Sequence, residues 1–182
     1  AFSQRVSDGA LNIVDQYIDS LTRAGDFSGS VLIARNDSVI LRRSYGYANV
    51  ELGVRATDTT RYRIHSITKQ FVAAAIMRLA LDHRLSLSDP IGRYLDSLPP
   101  AWHAITIEQL VQHTSGLPQD EGKWFAAFQE FDLGSELDAW RRVAPSVQAD
   151  TLVSAPGKSW QYNNFNYELL GAIIERAAKV RT

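Results

Sequence analysis

The sequence predicts an α+β fold in which a helix and a β-hairpin come first and a mostly helical region follows. Two runs rich in Val, Ile, Leu and Tyr, at 27–34 and 39–47, flank a short polar segment, as in a hairpin. Elsewhere most apolar positions recur three and four apart, which is the period of an amphipathic helix. We therefore divide the chain into a partial sheet lobe, 1–60, and a helical lobe, 61–182.

The composition is typical of a globular domain and excludes several classes of function. The chain has 182 residues, of which 45% are hydrophobic, which is enough to build a core. Nineteen basic and 20 acidic residues give a net charge of −1, so we expect no nucleic-acid partner. The absence of cysteine excludes disulfides and a cysteine nucleophile. No apolar run approaches the roughly 18 residues of a membrane span, and no signal peptide is visible.

The first predicted element is an amphipathic helix over 7–24, followed by Gly25, a common helix terminator. Its apolar face consists of Leu11, Val14, Ile18 and Leu21. After the hairpin, residues 49–60 are mostly polar and predict a loop. Because two strands are too few for a stable sheet, the hairpin is expected to need further strands beside it.

The helical region is predicted to begin with a helix over 66–83. Its apolar face consists of Phe71, Val72, Ala75, Ile76 and Leu79. Thr106 and Gln109 have the spacing of a capping box and predict a short helix that ends at Val111.

Two more helices are predicted towards the end of the chain. Ser135 is a typical N-cap for a helix that reaches Val143, and residues 166–179 have a clear apolar face. The region before Ser135 stays undecided, although its aromatic residues have near-helical spacing: Trp124, Phe125, Phe128 and Phe131.

Ser66 and Lys69 lie at the predicted start of the central helix. Positions three apart share a helix face, so the hydroxyl and the amine point the same way. The helix N-terminus adds partial positive charge beside the hydroxyl. A serine becomes a good nucleophile when an adjacent amine of lowered pKa takes its proton. A capping serine followed by a surface lysine explains the same two residues, so the pair alone leaves both interpretations open.

Tyr162 and Asn164 follow a Pro-Gly turn and precede the last predicted helix. Two residues apart in an extended segment, their side chains can face the same side. A tyrosine hydroxyl near a lysine can relay a proton, and an asparagine amide can both donate to and accept from a polar substrate. The alternatives are packing for Tyr162 and helix capping for Asn164.

Three motifs occur in an order that resembles the serine β-lactamase and penicillin-binding protein superfamily. They are Ser-Ile-Thr-Lys at 66–69, His-Thr-Ser-Gly-Leu-Pro at 113–118 and Tyr-Asn-Asn at 162–164. The Tyr-x-Asn form is similar to the class C β-lactamase branch, which also includes esterases and D-amino-acid peptidases. Matching flanks extend the resemblance over about 27–175: they are 27–31, 85–90 and Trp160.

The resemblance implies a role for each of four residues. Ser66 would be the nucleophile that forms an acyl-enzyme, and Lys69 would accept or relay its proton. Tyr162 would act with Lys69 as general base and return the proton to the leaving group; which of the two is the base stays open, because they would titrate as a coupled pair. Asn164 would hold Lys69 and bind the substrate's amide carbonyl, and the backbone N–H of Ser66 would form half of the oxyanion hole.

The resemblance also implies a supporting, structural role for the 113–118 turn, so we expect no direct chemistry from His113. His65 is expected to be a packing or strand-end residue. The four histidines lack metal-ligand spacing, and we predict neither a metal nor a cofactor. The expected substrate is a small molecule or peptide: a β-lactam, a D-alanyl peptide or a small ester.

A further motif of the superfamily, a Lys-Thr-Gly or His-x-Gly triplet on another strand, does not occur in these residues. That strand supplies the second oxyanion N–H. We therefore expect an incomplete β-lactamase/transpeptidase-like fold, the N-terminal portion of a serine hydrolase, with impaired activity alone.

Two further expectations follow from this gap. A second polypeptide or another copy of the chain would complete the sheet. The alternative function is a non-catalytic, penicillin-binding-like module that binds a peptide or a partner chain. The resemblance favours a periplasmic or secreted location.

Overall fold

The predicted N-terminal helix and hairpin lie in the first of two units into which the chain divides, Ala1–Arg63 and Ile64–Thr182. The computed structural model describes residues 8–119, 122 and 134–179. The predicted helix start at Ser7 and the four aromatic residues of the undecided region lie outside the described residues.

In the first unit, helix α1 (Asp8–Ala24) ends at Gly25, whose φ of +82° suits glycine. Strands β1 (Gly29–Arg35) and β2 (Ser38–Tyr45) pair antiparallel, with Gly29 opposite Tyr45. The connecting residues Asn36 and Asp37 have φ of 47° and 62°, as a tight hairpin turn with the sheet's twist requires. The predicted hairpin is thus confirmed.

Asp15 of α1 joins the helix to the hairpin. Its carboxylate accepts hydrogen bonds from the hydroxyl of Tyr45, at 2.7 Å, and from the guanidinium of Arg43. Burial, together with the bond to Asp15, raises the pKa of Tyr45 to about 12.

The predicted loop over 49–60 is wrong in part. Residues Tyr47–Asn49 (β3) and Val54–Arg55 (β4) form a second antiparallel pair. Gly46, at φ +67°, separates this pair from β2. The hydroxyl of Ser28 accepts from the Tyr47 N–H at 2.6 Å, so a residue 19 positions earlier fixes where the second pair begins.

In the second unit a 3₁₀ turn, His65–Ile67, precedes helix α2 (Thr68–Leu81). The α-helix is therefore shorter at both ends than the predicted 66–83. Helix α3 (Ile107–Val111) has the predicted capping box: Thr106 Oγ1 accepts from the Gln109 N–H at 3.2 Å, and Gln109 Oε1 accepts from the Thr106 N–H at 2.9 Å.

Helix α4 (Glu136–Val143) has the predicted Ser135 cap, which accepts from the Asp138 N–H at 3.1 Å. Helix α5 (Asn164–Ala178) begins two residues before the predicted start. It packs against α2, α3 and α4, and so lies at the centre of the unit. The largest fully buried side chains of the core are Trp102, Trp140 and Phe165. No helix in the described ranges is long and apolar enough to cross a membrane.

Candidate active site

Ser66 lies in the 3₁₀ turn that leads into α2, and its side chain is exposed. The preceding residue, His65, has a φ of +45°, an uncommon conformation for a residue other than glycine. The turn is closed by the Ile67 N–H, which donates to the Ile64 carbonyl at 3.1 Å. Lys69 follows one turn later on the same face and is half-buried.

The structure brings together the four residues predicted from the sequence. Ser66 Oγ lies 2.8 Å from Tyr162 Oη, and either hydroxyl can be the donor. The amine of Lys69 donates to Ser66 Oγ at 3.4 Å and to Asn164 Oδ1 at 2.5 Å. It also lies 5.0 Å from the ring centre of Tyr162. These contacts form a continuous hydrogen-bonded chain from the tyrosine to the asparagine.

Asn163, between Tyr162 and Asn164, holds the segment 162–164 in place through its buried side chain. Its buried side chain donates from Nδ2 to the carbonyls of Leu117 and Pro118, each at 3.0 Å. Its Oδ1 accepts from the Phe165 N–H at 2.9 Å and caps α5. The alternative that Asn164 is the cap is therefore wrong. With Asn163 turned inwards, its two neighbours reach the site.

The turn at 113–118 holds the rest of this segment through backbone hydrogen bonds. The N–H of Gly157 donates to the Thr114 carbonyl at 2.7 Å, and that of Gln161 to the His113 carbonyl at 2.9 Å. Gly116 has a φ of +74°, and a Cβ there would lie 2.0 Å from the Ser154 carbonyl oxygen. Only glycine allows this approach. The contacts agree with the supporting role expected for the turn.

A cavity of about 560 Å³ opens beside Ser66, Lys69 and Asn164. Its far wall runs along α5, with Tyr167, Glu168 and Gly171, towards Glu136 at the start of α4. These wall residues were not predicted from the sequence. Positions 164, 167, 168 and 171 share one helix face, so their spacing from Asn164 was the available signal.

Two aromatic groups beside Lys69 have altered acidity. Burial raises the pKa of Tyr167, and the neighbouring Tyr162 adds to this effect. Burial lowers the pKa of His113, and the positive charge of Lys69 lowers it further. Among the described residues, no group of three or more His, Asp or Glu side chains is placed to hold a metal ion.

Replacing Asn163 by alanine is expected to lower the free energy of unfolding by about 2–3 kcal/mol, because it removes a helix cap and leaves two carbonyls unpaired. Urea unfolding followed by circular dichroism measures this loss. The control is Asn12→Ala on the exposed face of α1, which should change stability by less than about 0.5 kcal/mol. Equal losses in both variants would contradict the anchoring role.

Known proteins resemble this chain in sequence and in fold. The model of the Beta-lactamase family matches residues 14–182. Protein flp of Staphylococcus aureus is 33% identical over 180 residues, which cover 96% of this chain and 35% of that protein. Esterase EstB of Burkholderia gladioli is 32% identical over 186 residues, covering 90% of this chain and 44% of the esterase.

A solved structure, the octameric penicillin-binding protein homologue from Pyrococcus abyssi, superposes with a TM-score of 0.70. It is 28% identical, and the match covers 97% of this chain and 40% of that one. The chain thus spans less than half the length of these relatives, and it adopts the corresponding part of the β-lactamase/transpeptidase fold. The family match over most of its length shows that this chain belongs to the beta-lactamase family.

Proposed function

We propose that the chain carries the nucleophile and the proton-transfer groups of a serine hydrolase that forms an acyl-enzyme on Ser66. The observation that carries this proposal is the hydrogen-bonded chain that joins Tyr162, Ser66, Lys69 and Asn164, with links of 2.8, 3.4 and 2.5 Å. A hydroxyl flanked by two groups that can take its proton is the arrangement that an activated serine requires.

In the proposed reaction Ser66 Oγ attacks the substrate carbonyl carbon and forms a new C–O bond. Its proton passes to the coupled pair of Tyr162 and Lys69. Tyr162 then returns a proton to the leaving group as the carbonyl–leaving-group bond breaks. Water then attacks the carbonyl carbon of the resulting ester and gives one proton to the pair. As the bond between Ser66 Oγ and that carbon breaks, the pair passes the proton to Ser66 Oγ and the carboxylic acid leaves.

The side-chain amide of Asn164 is proposed to bind two groups, the Lys69 amine and a carbonyl of the substrate. Its oxygen accepts from the Lys69 amine and fixes that amine beside the serine. The amide nitrogen is a donor, suited to the carbonyl of an amide or lactam substrate. The Ser66 backbone N–H is proposed as one donor to the developing oxyanion.

The substrate is proposed to be a small ester, a β-lactam or a D-alanyl peptide. A cavity of about 560 Å³ is within the usual size of small-molecule sites. The likeness to Esterase EstB supports an ester, and the likeness to the Pyrococcus abyssi penicillin-binding protein homologue supports a lactam or peptide.

The 182 residues contain no Lys-Thr-Gly or His-x-Gly triplet. Tested alone, they are expected to acylate slowly, since one missing oxyanion donor costs about a hundred- to a thousandfold in rate. We propose that a second polypeptide or another copy completes the sheet, which has two strands, β1 and β2, in the described residues. The second candidate, a non-catalytic binding module, is tested by the same labelling experiment.

The test is the intact mass of the full chain after long incubation with a fluorophosphonate, a penicillin and an activated ester. We expect one adduct per chain with at least one probe. The native mass of the preparation reports whether a second chain or copy is bound. No adduct with any probe, in protein whose circular dichroism shows it folded, would overturn the hydrolase proposal for this chain and favour the binding module.

A further inference from the structure

His113 lies against the candidate general base. Its ring centre is 4.7 Å from that of Tyr162, with the planes 33° apart, and 5.1 Å from that of Tyr167, with the planes 34° apart. Trp160 packs edge-on at 6.3 Å. The imidazole therefore lies between two tyrosines, one of which is hydrogen-bonded to Ser66.

The hydrogen bonds of His113 identify the form of its ring. Nδ1 lies 3.2 Å from the backbone nitrogen of Asn163, which can only donate. Nδ1 must then accept, so the ring is neutral and its proton is on Nε2. Asn166 agrees with this assignment: its Oδ1 accepts from Ser115, and its Nδ2 lies 3.3 Å from the same Nδ1.

Protonation of His113 would reverse this arrangement. An N–H at Nδ1 would face the N–H of Asn163 and the amide nitrogen of Asn166, two groups that donate. The new positive charge would also lie near Lys69, whose charge already disfavours it. The first effect acts on the segment that carries Tyr162, and the second repels Lys69 on α2.

We propose that neutral His113 is a positioning residue for Tyr162, and that its protonation in acid separates Tyr162 and Asn164 from Ser66 and Lys69. The effect of His113 protonation on the position of Tyr162 is inferred from the geometry alone. The consequence for the reaction rate rests on the proposed hydrolase function. The titratable groups that face His113 in the described residues are Lys69 from α2, Tyr162 from the extended segment and Tyr167 from α5.

The direction of the pH dependence follows from the environment. Burial and Lys69 hold the pKa of His113 below its ordinary value. The positioned form is therefore fully present at neutral pH and is lost as the pH falls through the pKa of the folded protein.

The test replaces His113 by asparagine in the full chain. Asparagine accepts a hydrogen bond through Oδ1, does not titrate and tolerates the left-handed backbone, which has a φ of +58° at this position. The matched control is His83→Asn, because His83 is exposed and also has a positive φ, +54°.

The first readout is NMR from about pH 8 down to below about pH 5, because histidine ordinarily titrates between about pH 5 and about pH 8 and the pKa of His113 is lowered from its ordinary value. In the wild type we expect the Nε2–H tautomer at His113 near neutral pH, and ring signals of Tyr162 that shift with the His113 midpoint. The Tyr162 shift should persist in His83→Asn and vanish in His113→Asn. A proton on Nδ1 at neutral pH, or Tyr162 signals that ignore the wild-type titration, would overturn the proposal even if the variant failed to fold.

The second readout is the rate of probe labelling over the same pH range. We expect the wild type and His83→Asn to lose about tenfold or more in rate on acidification, and His113→Asn to lose much less. An unchanged acid loss in a folded His113→Asn would overturn the proposal while leaving the hydrolase function intact. If neither the wild type nor the two variants were labelled and the NMR result were as expected, the proposed hydrolase function would be overturned and the positioning role of His113 would stand.

Discussion

Replacing Lys69 by methionine is expected to slow the labelling of Ser66 by about 10²- to 10⁴-fold, the usual contribution of a positioned proton-transfer group. Methionine has a similar length but no charge and no donor. It therefore removes the contacts to Ser66 Oγ and to Asn164 Oδ1, at 3.4 and 2.5 Å. The rate is measured by intact mass against time with the most reactive probe.

The control is Lys158→Met, since this lysine is exposed and lies outside the hydrogen-bonded chain. It should label as fast as the wild type. In folded Lys69→Met the pKa of His113 should also rise, because one of its two depressing causes is removed. Equal labelling rates for the two lysine variants would mean that Lys69 does not take part in proton transfer.

Replacing Phe165 by alanine is expected to lower the free energy of unfolding by about 3–5 kcal/mol, the usual cost of deleting a large buried aromatic side chain. Phe165 has no exposed surface and packs edge-on against Trp102, with ring centres 5.9 Å apart. It directly follows Asn164 in the chain, so the cavity would open under the start of α5. Urea unfolding measures the loss.

Phe71→Ala provides the matched comparison, because this phenylalanine lies on α2 with 61% of its surface exposed. Its replacement should change the free energy of unfolding by less than about 0.5 kcal/mol. Similar losses for the two phenylalanine variants would contradict the assignment of Phe165 to the core that supports the Tyr162–Asn164 segment.

Elements that depend only on residues close together in the chain were predictable from the sequence. The hairpin follows from two runs rich in Val, Ile, Leu and Tyr around the turn residues Asn36 and Asp37, whose side chains tolerate a positive φ. The capping box at Thr106 and Gln109 and the Ser135 cap depend only on residues three apart. Each of these features appears where it was predicted, with bounds shifted by one or two residues.

Features that depend on distant residues were not predictable. Asn163 and Asn164 are equally good caps by residue type, and the choice between them comes from the Leu117 and Pro118 carbonyls, more than 40 positions away. The β3–β4 pair depends in the same way on Ser28. Such contacts leave no periodic pattern in the sequence.

The candidate site likewise has residues that were predictable from the sequence and a contact that was not. The four residues Ser66, Lys69, Tyr162 and Asn164 were selected by resemblance, and the structure brings them within hydrogen-bonding reach of one another. The contact of His113 with Tyr162 could not be predicted without the fold, because the two residues lie in segments that are distant in the sequence.

The most direct test of the central proposal is the location of the probe adduct by tandem mass spectrometry of the digested wild-type chain. We predict that the adduct is on the hydroxyl of Ser66, and that Ser66→Ala, folded by circular dichroism, acquires no adduct. An adduct on another residue, or equal labelling of Ser66→Ala, would contradict the assignment of Ser66 as the nucleophile.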